Sequence, residues 1–475
     1  MDTDTDTDTG GGPEGGSGRP TAPAVQLPGP RTAEPEAERP AADADADAAP
    51  GGGDAPVPAP RRGPLDRLSD LFATGFDTFI GRVLGPHQAA VVRIGFGLTF
   101  ALFLLREWPE RRVLYGDRAP WSLDLARQLL AGNHSFTVLP WSNGGWWFEL
   151  VYHLAILAAV AVTLGWRTRA MTVLYMLGVL SIQNRNVFVG DGGDNVIHLM
   201  AIYLVFTRCG QVWSLDARRA RRGAGDGRTG VLLWSVLGAL LLWVQLSGFS
   251  GDSLDMTSDS WPHLGWGTVL WAIWAAHGLW WAVNRHRPGH ELRALLDAGA
   301  TMLHNCAMLV IAVQVCFIYS TAGWYKIQGS RWQDGSALYY PLHLDYFTPW
   351  PWLAGLLAGN MLAVFLISYG TVAVQVAFPF TLFNRRVKNV LLAMMMLEHA
   401  GIAVALGLPI FSLSMISADA VFLPTAFLLW LGGRVTGLWG RSAAGTRPAR
   451  TPGSPAGSPD ESPAENLTES PAPAP

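Results

Sequence analysis

The chain has 475 residues, of which 49% are hydrophobic and 15% charged, and it holds 21 tryptophans. That balance is too apolar for a soluble protein of this length and points to a lipid bilayer as its surroundings. A net charge of −3 argues against a nucleic-acid partner, and the three cysteines (Cys209, Cys306 and Cys316), all in or beside apolar segments, form neither a disulfide framework nor a zinc site.

Residues 1–62 open with an Asp-Thr repeat and continue in Pro, Gly, Ala and acidic residues. They lack the apolar stretch of a signal peptide and predict a disordered N-terminal tail, so the first membrane helix must direct insertion. Ten runs long enough to cross a bilayer follow, near 88–107, 146–165, 168–185, 194–209, 230–248, 264–284, 301–323, 353–382, 388–408 and 410–432. The fourth is short and begins with Asp194, the eighth is long, and the last pair reads equally as one interrupted unit. The expected fold is therefore an all-α polytopic integral membrane protein, a bundle of about eight to ten transmembrane helices. Residues 442–475 predict a disordered C-terminal tail, in which Asn466-Leu467-Thr468 is a chance match to a glycosylation sequon.

Charge orients this map, because cytoplasmic flanks collect Lys and Arg. With both termini cytoplasmic, the inner segments hold Arg61, Arg62, Arg67, Arg82, Arg167, Arg169, the arginines between 208 and 228, Arg285, Arg287, Arg293, Arg385, Arg386, Lys388, Arg434 and Arg441. The outer segments include the acidic stretch 251–259. The exception is the first outer loop, 108–145, where arginines alternate with Glu107, Glu110, Asp117 and Asp124. Tryptophans gather at the outer span ends as an aromatic belt, and the loops 108–145 and 324–352 are long enough to fold over the outer leaflet.

Ionisable groups inside spans are costly and mark sites or pathways. Gln183-Asn184-Arg185-Asn186 precedes Asp191-Gly192-Gly193-Asp194-Asn195, and the glycines allow a turn that brings Arg185 to Asp194. Asp194 and His198 are four apart and share a helix face. Glu398-His399 stands alone in an apolar run and needs a partner from another helix, whereas Arg93 lies near enough to an inner end to snorkel. His153 and His304 read as helix-packing groups. Lys326 is one of two lysines, and unlike arginine a lysine can lose its proton and act as a base. On the residues alone it reads either as a base or as a snorkelling lysine at a span end. No HExxH, CxxC or phosphate loop occurs, so metal chemistry is not expected.

The run Arg185-Asn186, Asp191-Gly-Gly-Asp194, Ser214-Leu-Asp216, Gln314, Tyr319-x-x-Ala322-Gly323-x-x-Lys326 and Trp332-x-Asp334-Gly335 resembles the HTTM (horizontally transferred transmembrane) domain. That is the membrane domain shared with vitamin K-dependent γ-glutamyl carboxylase, and the resemblance covers residues 80–435. It implies that Lys326 is the base that deprotonates a reduced naphthoquinone of the vitamin K or menaquinol type. The anion formed would react with oxygen, and the strong base produced would drive carboxylation of a glutamate. A family histidine twelve residues before a phenylalanine matches His399 and Phe411. Where the carboxylase has Asn-His near its fourth span this chain has Gly-Asp, residues 230–284 read as a two-helix insertion, and the carboxylase's large C-terminal domain has no counterpart.

The resemblance thus implies a multi-pass enzyme of the cell membrane. Lys326 and His399 would be its catalytic groups, with His198 and Asp194, the His–carboxylate pair on one helix face, as further catalytic candidates, and Arg185, Trp332, Asp334 and Tyr319 would contact substrate. Its partners would be a lipid quinol and a secreted or membrane peptide. The alternative is a non-catalytic membrane protein for maturation, export or immunity of a partner peptide, similar to the sporulation-delaying protein B type. A transporter stands third, since paired broken helices are not evident.

Overall fold

Within lipid every backbone polar group must be satisfied inside its own segment, which forces apolar runs into helices. The computed structural model describes residues 64–133, 135–223, 228–247 and 265–444, and among them every regular element is a helix. The predicted tail 1–62, most of the tail 442–475 and the acidic outer stretch 251–259 lie outside the described residues.

In chain order, α1 (Pro64–Gly81) leads to α2 (Pro86–Glu107), which starts on a proline whose missing N–H costs nothing in a first turn. The short α3 (Arg111–Leu114) and α4 (Leu123–Asn133) fill the first long loop before α5 (Gly145–Leu164) and α6 (Thr168–Gln183). There follow α7 (Gly192–Val205), α8 (Leu215–Arg221), α9 (Arg228–Ser247) and α10 (Trp266–His286). The second half comprises α11 (Glu291–Gln328), α12 (Ser330–Gln333), α13 (Pro351–Ala358), α14 (Met361–Ala377), α15 (Arg385–Ala405), α16 (Pro409–Asp419) and α17 (Thr425–Ala444).

Six of the described helices are long and apolar enough to cross a membrane: α2, α5, α9, α11, α15 and the stretch Met361–Thr381. The last predicted pair is one broken unit, Pro409–Phe422 and Thr425–Val435, bent by 117°. The predicted spans 168–185 and 194–209 are helices of 16 and 14 residues. At 1.5 Å per residue they rise only about 24 and 21 Å, short of a hydrocarbon core of about 30 Å. Length is sufficient in α10, but His277, Asn284, Arg285 and His286 make it less apolar.

The centre of the bundle is α2, packed against α5, α7, α16 and α17, with Phe96, Phe100 and Leu104 fully buried. Arg93, on the same helix, does not snorkel. Its Nη1 donates to the Val162 and Thr163 carbonyls at 2.7 and 3.2 Å, and its Nη2 to the Trp213 carbonyl at 2.8 Å. Asp216 accepts from the N–H groups of Arg167 (3.0 Å) and Thr168 (2.7 Å) and from the Thr168 hydroxyl (2.7 Å). One carboxylate thereby satisfies free donors at the start of α6. In this protein Ser214-Leu-Asp216 is a clamp between helices.

Within the predicted two-helix insertion, α9 and α10 pack together through two tryptophans. Trp234 and Trp274 stack at 4.1 Å, and each indole N–H donates to the other's carbonyl at 3.0 Å. A Cβ on Gly238 or Gly278, each four residues after its tryptophan, would meet the opposing indole at 2.5 or 2.7 Å. The arginines of the loop 108–145 are explained by pairing. Arg111 binds Glu149 through two nitrogens (3.0 and 3.1 Å), Arg112 binds Asp117 (3.0 and 2.7 Å), and Arg127 meets Asp124 at 3.1 Å.

Candidate functional site

Four helices bring polar side chains together inside the bundle. Tyr319 and Lys326 are seven residues apart on α11 and so lie on nearly one face. Gly323 between them lets α14 approach closely, since a Cβ there would meet Val376 at 2.5 Å. That contact sets Gln375 opposite Lys326. Asn384 caps the start of α15 by accepting from the Arg386 and Val387 N–H groups (3.1 and 3.4 Å). Further along the same helix Glu398 and His399 reach Gln375 and Tyr319. Gly407, at φ +67°, makes the turn into α16 and hence positions Asp419.

Two networks result. In the first, Lys326 Nζ donates to Gln375 Oε1 at 2.6 Å, and Gln375 Nε2 donates to Glu398 Oε1 at 2.6 Å. The ammonium group also lies 5.3 Å from the centre of the Trp332 ring, within cation–π range. In the second, the Tyr319 hydroxyl lies 3.0 Å from His399 Nε2 and 3.0 and 3.1 Å from the two Asp419 oxygens. Tyr319, His399 and Asp419 are 1%, 2% and 0% exposed. His399 packs edge-on against Phe411 (5.6 Å), and its Nδ1 is buried with no partner among the described residues. The networks meet at the consecutive residues Glu398 and His399.

The other predicted site residues have different surroundings. Arg185 does not pair with Asp194; its Nη2 donates to the carbonyls of Trp121 (2.9 Å) and Gly116 (3.3 Å). It lines a cavity of about 210 Å³ with Tyr115, Ser122 and Phe148. Asp194 is the third residue of α7, where it accepts from the Asp191 N–H at 2.8 Å while Asp191 accepts from Gly193 and Asp194 (2.6 and 3.2 Å). This reciprocal pair is a capping box. His198 is partnered by Gln183 (3.2 Å) rather than by Asp194, and Gln183 in turn donates to the Asp194 carbonyl at 3.0 Å. The start of α7 packs against α16 at Phe411, whose Cα lies 2.8 Å from where a Gly193 Cβ would stand.

Asp334 binds the Ser336 N–H (2.9 Å) and hydroxyl (2.5 Å) and meets Arg331 at 3.5 Å. Gly335, at φ +77°, sits against Phe365 and Tyr369, and the Tyr369 hydroxyl donates to the Gln333 carbonyl. Trp332-x-Asp334-Gly335 is therefore a turn that holds Trp332 over Lys326. Tyr319, expected to touch substrate, has its hydroxyl engaged by Asp419 and His399. His153 and His304 join helices as expected, His304 by accepting the Arg208 N–H (2.9 Å) and lying 2.9 Å from the Leu84 carbonyl.

Gln375 and Asp419 are the residues that sequence reasoning missed. Asp419 is the sole carboxylate of the apolar segment 410–432, the same signal that singled out Glu398. Among the described residues no three His, Cys, Asp or Glu side chains are grouped to hold a metal ion. No family model, curated protein or solved structure matches the chain.

Proposed function

We propose that this protein is a carboxylase-like membrane enzyme of the HTTM type, in which Lys326 takes a proton from a lipid quinol. The observation that carries this is the setting of Lys326. Its hydrogen-bond acceptor is the neutral amide of Gln375, and the carboxylate of Glu398 stands one bond further away. A neutral amine can donate to that amide and still keep a lone pair for an incoming proton. The ammonium so formed keeps the same bond, with Glu398 behind Gln375 to balance its charge. Arginine, used at nearly every other basic position, cannot perform this cycle.

The surroundings suit a flat aromatic ligand. The Trp332 ring covers Lys326, Trp324 and Tyr325 are exposed on the same helix end, and the unpartnered His399 Nδ1 suits a ligand oxygen. A reduced naphthoquinone would supply the acidic hydroxyl and the reducing electrons. Lys326 would receive the proton, Gln375 would orient the amine, and Trp332 would exclude water. No residue is assigned to carboxylation of a peptide, which rests on the resemblance alone.

In this reading the protein sits in the cell membrane with both termini cytoplasmic and Lys326 toward the outer face. Pairing of Arg111, Arg112 and Arg127 supports that orientation, because it neutralises the one outer loop rich in arginine.

The test is oxygen uptake by the purified protein in lipid nanodiscs supplied with reduced naphthoquinones. Wild type should consume oxygen, and Lys326→Arg should abolish uptake without loss of folded protein. If wild type is inactive with every reduced naphthoquinone and Lys326→Arg behaves as wild type, the non-catalytic reading for a partner peptide replaces this one.

A further inference from the structure

The contacts among Asp419, Tyr319 and His399 admit two proton arrangements on one set of heavy atoms. The Asp419–Tyr319 contact and the Tyr319–His399 contact each need a hydrogen, and the phenol supplies only one. With Asp419 ionised, the phenol donates to the carboxylate, so His399 donates its Nε2–H to the phenol oxygen and Nδ1 is a bare acceptor. With Asp419 protonated, the acid donates to the phenol oxygen, the phenol donates to Nε2, and the neutral imidazole carries its hydrogen on Nδ1. The protonation of Asp419 therefore dictates whether Nδ1 accepts or donates. Nδ1 is also the one ring atom of this buried histidine without a partner among the described residues.

We propose that Asp419, Tyr319 and His399 form a proton-transfer chain that opens at His399 Nδ1 and stores its proton on Asp419. It gives the site a second base, separate from Lys326, for a phenolic hydroxyl. The identity of that hydroxyl as a quinol rests on the function proposed above; the chain itself does not. A ligand O–H proton forms the new Nδ1–H bond, and the ligand oxygen keeps the electron pair. The Nε2–H proton passes to the phenol oxygen, and the phenol's own proton passes to the carboxylate. The ligand has lost one proton, Asp419 has gained one, and His399 and Tyr319 end neutral, with no oxidant required. The charged groups facing this chain are Lys326 on α11 and Glu398 on α15, with Asp191 and Asp194 on the α7 side beyond Phe411. Phe378 and Phe411 pack against the Tyr319 and His399 rings.

The test is nitrogen-15 NMR of histidine-labelled full-length protein in nanodiscs, with His399→Gln identifying the signal. In wild type the His399 ring should stay neutral and switch from the Nε2–H to the Nδ1–H tautomer as pH falls. Tyr319→Phe keeps the ring but breaks the chain, and should leave one tautomer at every pH. Menadiol added without oxygen should shift the Nδ1 resonance in wild type. The chain is overturned if the wild-type tautomer ignores pH or if Tyr319→Phe switches as wild type does, whereas menadiol that leaves Nδ1 unmoved overturns only the quinol as its proton donor. Lys326→Met separates the two ideas: it should stop quinol oxidation while the tautomer switch persists.

Discussion

Replacing Gly165 with alanine tests whether Arg93 is the interior anchor of the bundle. Gly165 ends α5 at φ +67°, and a Cβ there would overlap both Arg93 Nη1 and Ser214 Cβ. Alanine in this left-handed conformation costs about 1–2 kcal/mol. Relief of the overlap also requires Nη1 to leave the Val162 and Thr163 carbonyls. Interhelical hydrogen bonds in membranes average about 0.6 kcal/mol each and reach about 1.7 kcal/mol, so their loss adds roughly 1–3 kcal/mol. The total is about 2–5 kcal/mol, with the lost bonds at least as important as the backbone term. The assay is the fraction of monodisperse protein surviving a heating series in detergent, followed by tryptophan-detected gel filtration. Gly165→Ala should lower the midpoint by several degrees. In an Arg93→Met background the same change should cost only the backbone term and the Ser214 contact, so the pair should be strongly non-additive. An unchanged midpoint for Gly165→Ala, or simple additivity with Arg93→Met, would refute the anchor.

Three further outcomes follow from particular contacts. Gln375→Leu removes both bonds that join Lys326 to Glu398 and should destabilise the protein by about 1–3 kcal/mol; equal thermal survival to wild type would show that the bridge is not made. Gly238→Leu should push Trp274 off Trp234 and loosen the α9–α10 contact. Its readout is weaker hydrogen-exchange protection of α9 and α10, and unaltered protection would count against the stacked pair. In the loop 108–145, the Arg112 guanidinium bonds both Asp117 oxygens and holds that carboxyl below the usual range. A lowered folded value means the pairing contributes fully above the unfolded value of about 3.9 and is lost as pH falls through the lowered one. Hydrogen-exchange protection of residues 111–118 should hold from neutral pH to about pH 4 and fall only in stronger acid. Asp117→Asn should remove that step.

The sequence exposes what depends on runs and on isolated charges. Apolar stretches located the helices, and the rarity of lysine directed attention to Lys326. Pairing across helices was not legible, because Gln375 lies 49 residues from Lys326 and Asp419 lies 100 from Tyr319. No local periodicity encodes such distances. Closeness in sequence misled in the opposite sense at Arg185 and Asp194. The backbone N–H of Asp191 needs an acceptor at the start of α7, and Asp194 meets that need, while Arg185 turns to the loop carbonyls of Gly116 and Trp121. Arg93 failed as a snorkelling residue for a related reason. Chain ends of α5 and the turn before α8 bring three carbonyls to its guanidinium, which therefore has no cause to reach for the headgroups.

The seven-residue spacing of Tyr319 and Lys326 also sets a distance along the axis of α11. Two turns of α11 place these two residues about 10 Å apart, roughly a third of a 30 Å hydrocarbon layer for a helix standing along the bilayer normal. A proton passed from the level of Lys326 to the level of Asp419 would cross that fraction of the transmembrane field. At about 2.3 kcal/mol per charge per 100 mV for the full thickness, the step carries about 0.8 kcal/mol per 100 mV. A proton exchanged between those two levels would thus be biased about fourfold per 100 mV of membrane potential.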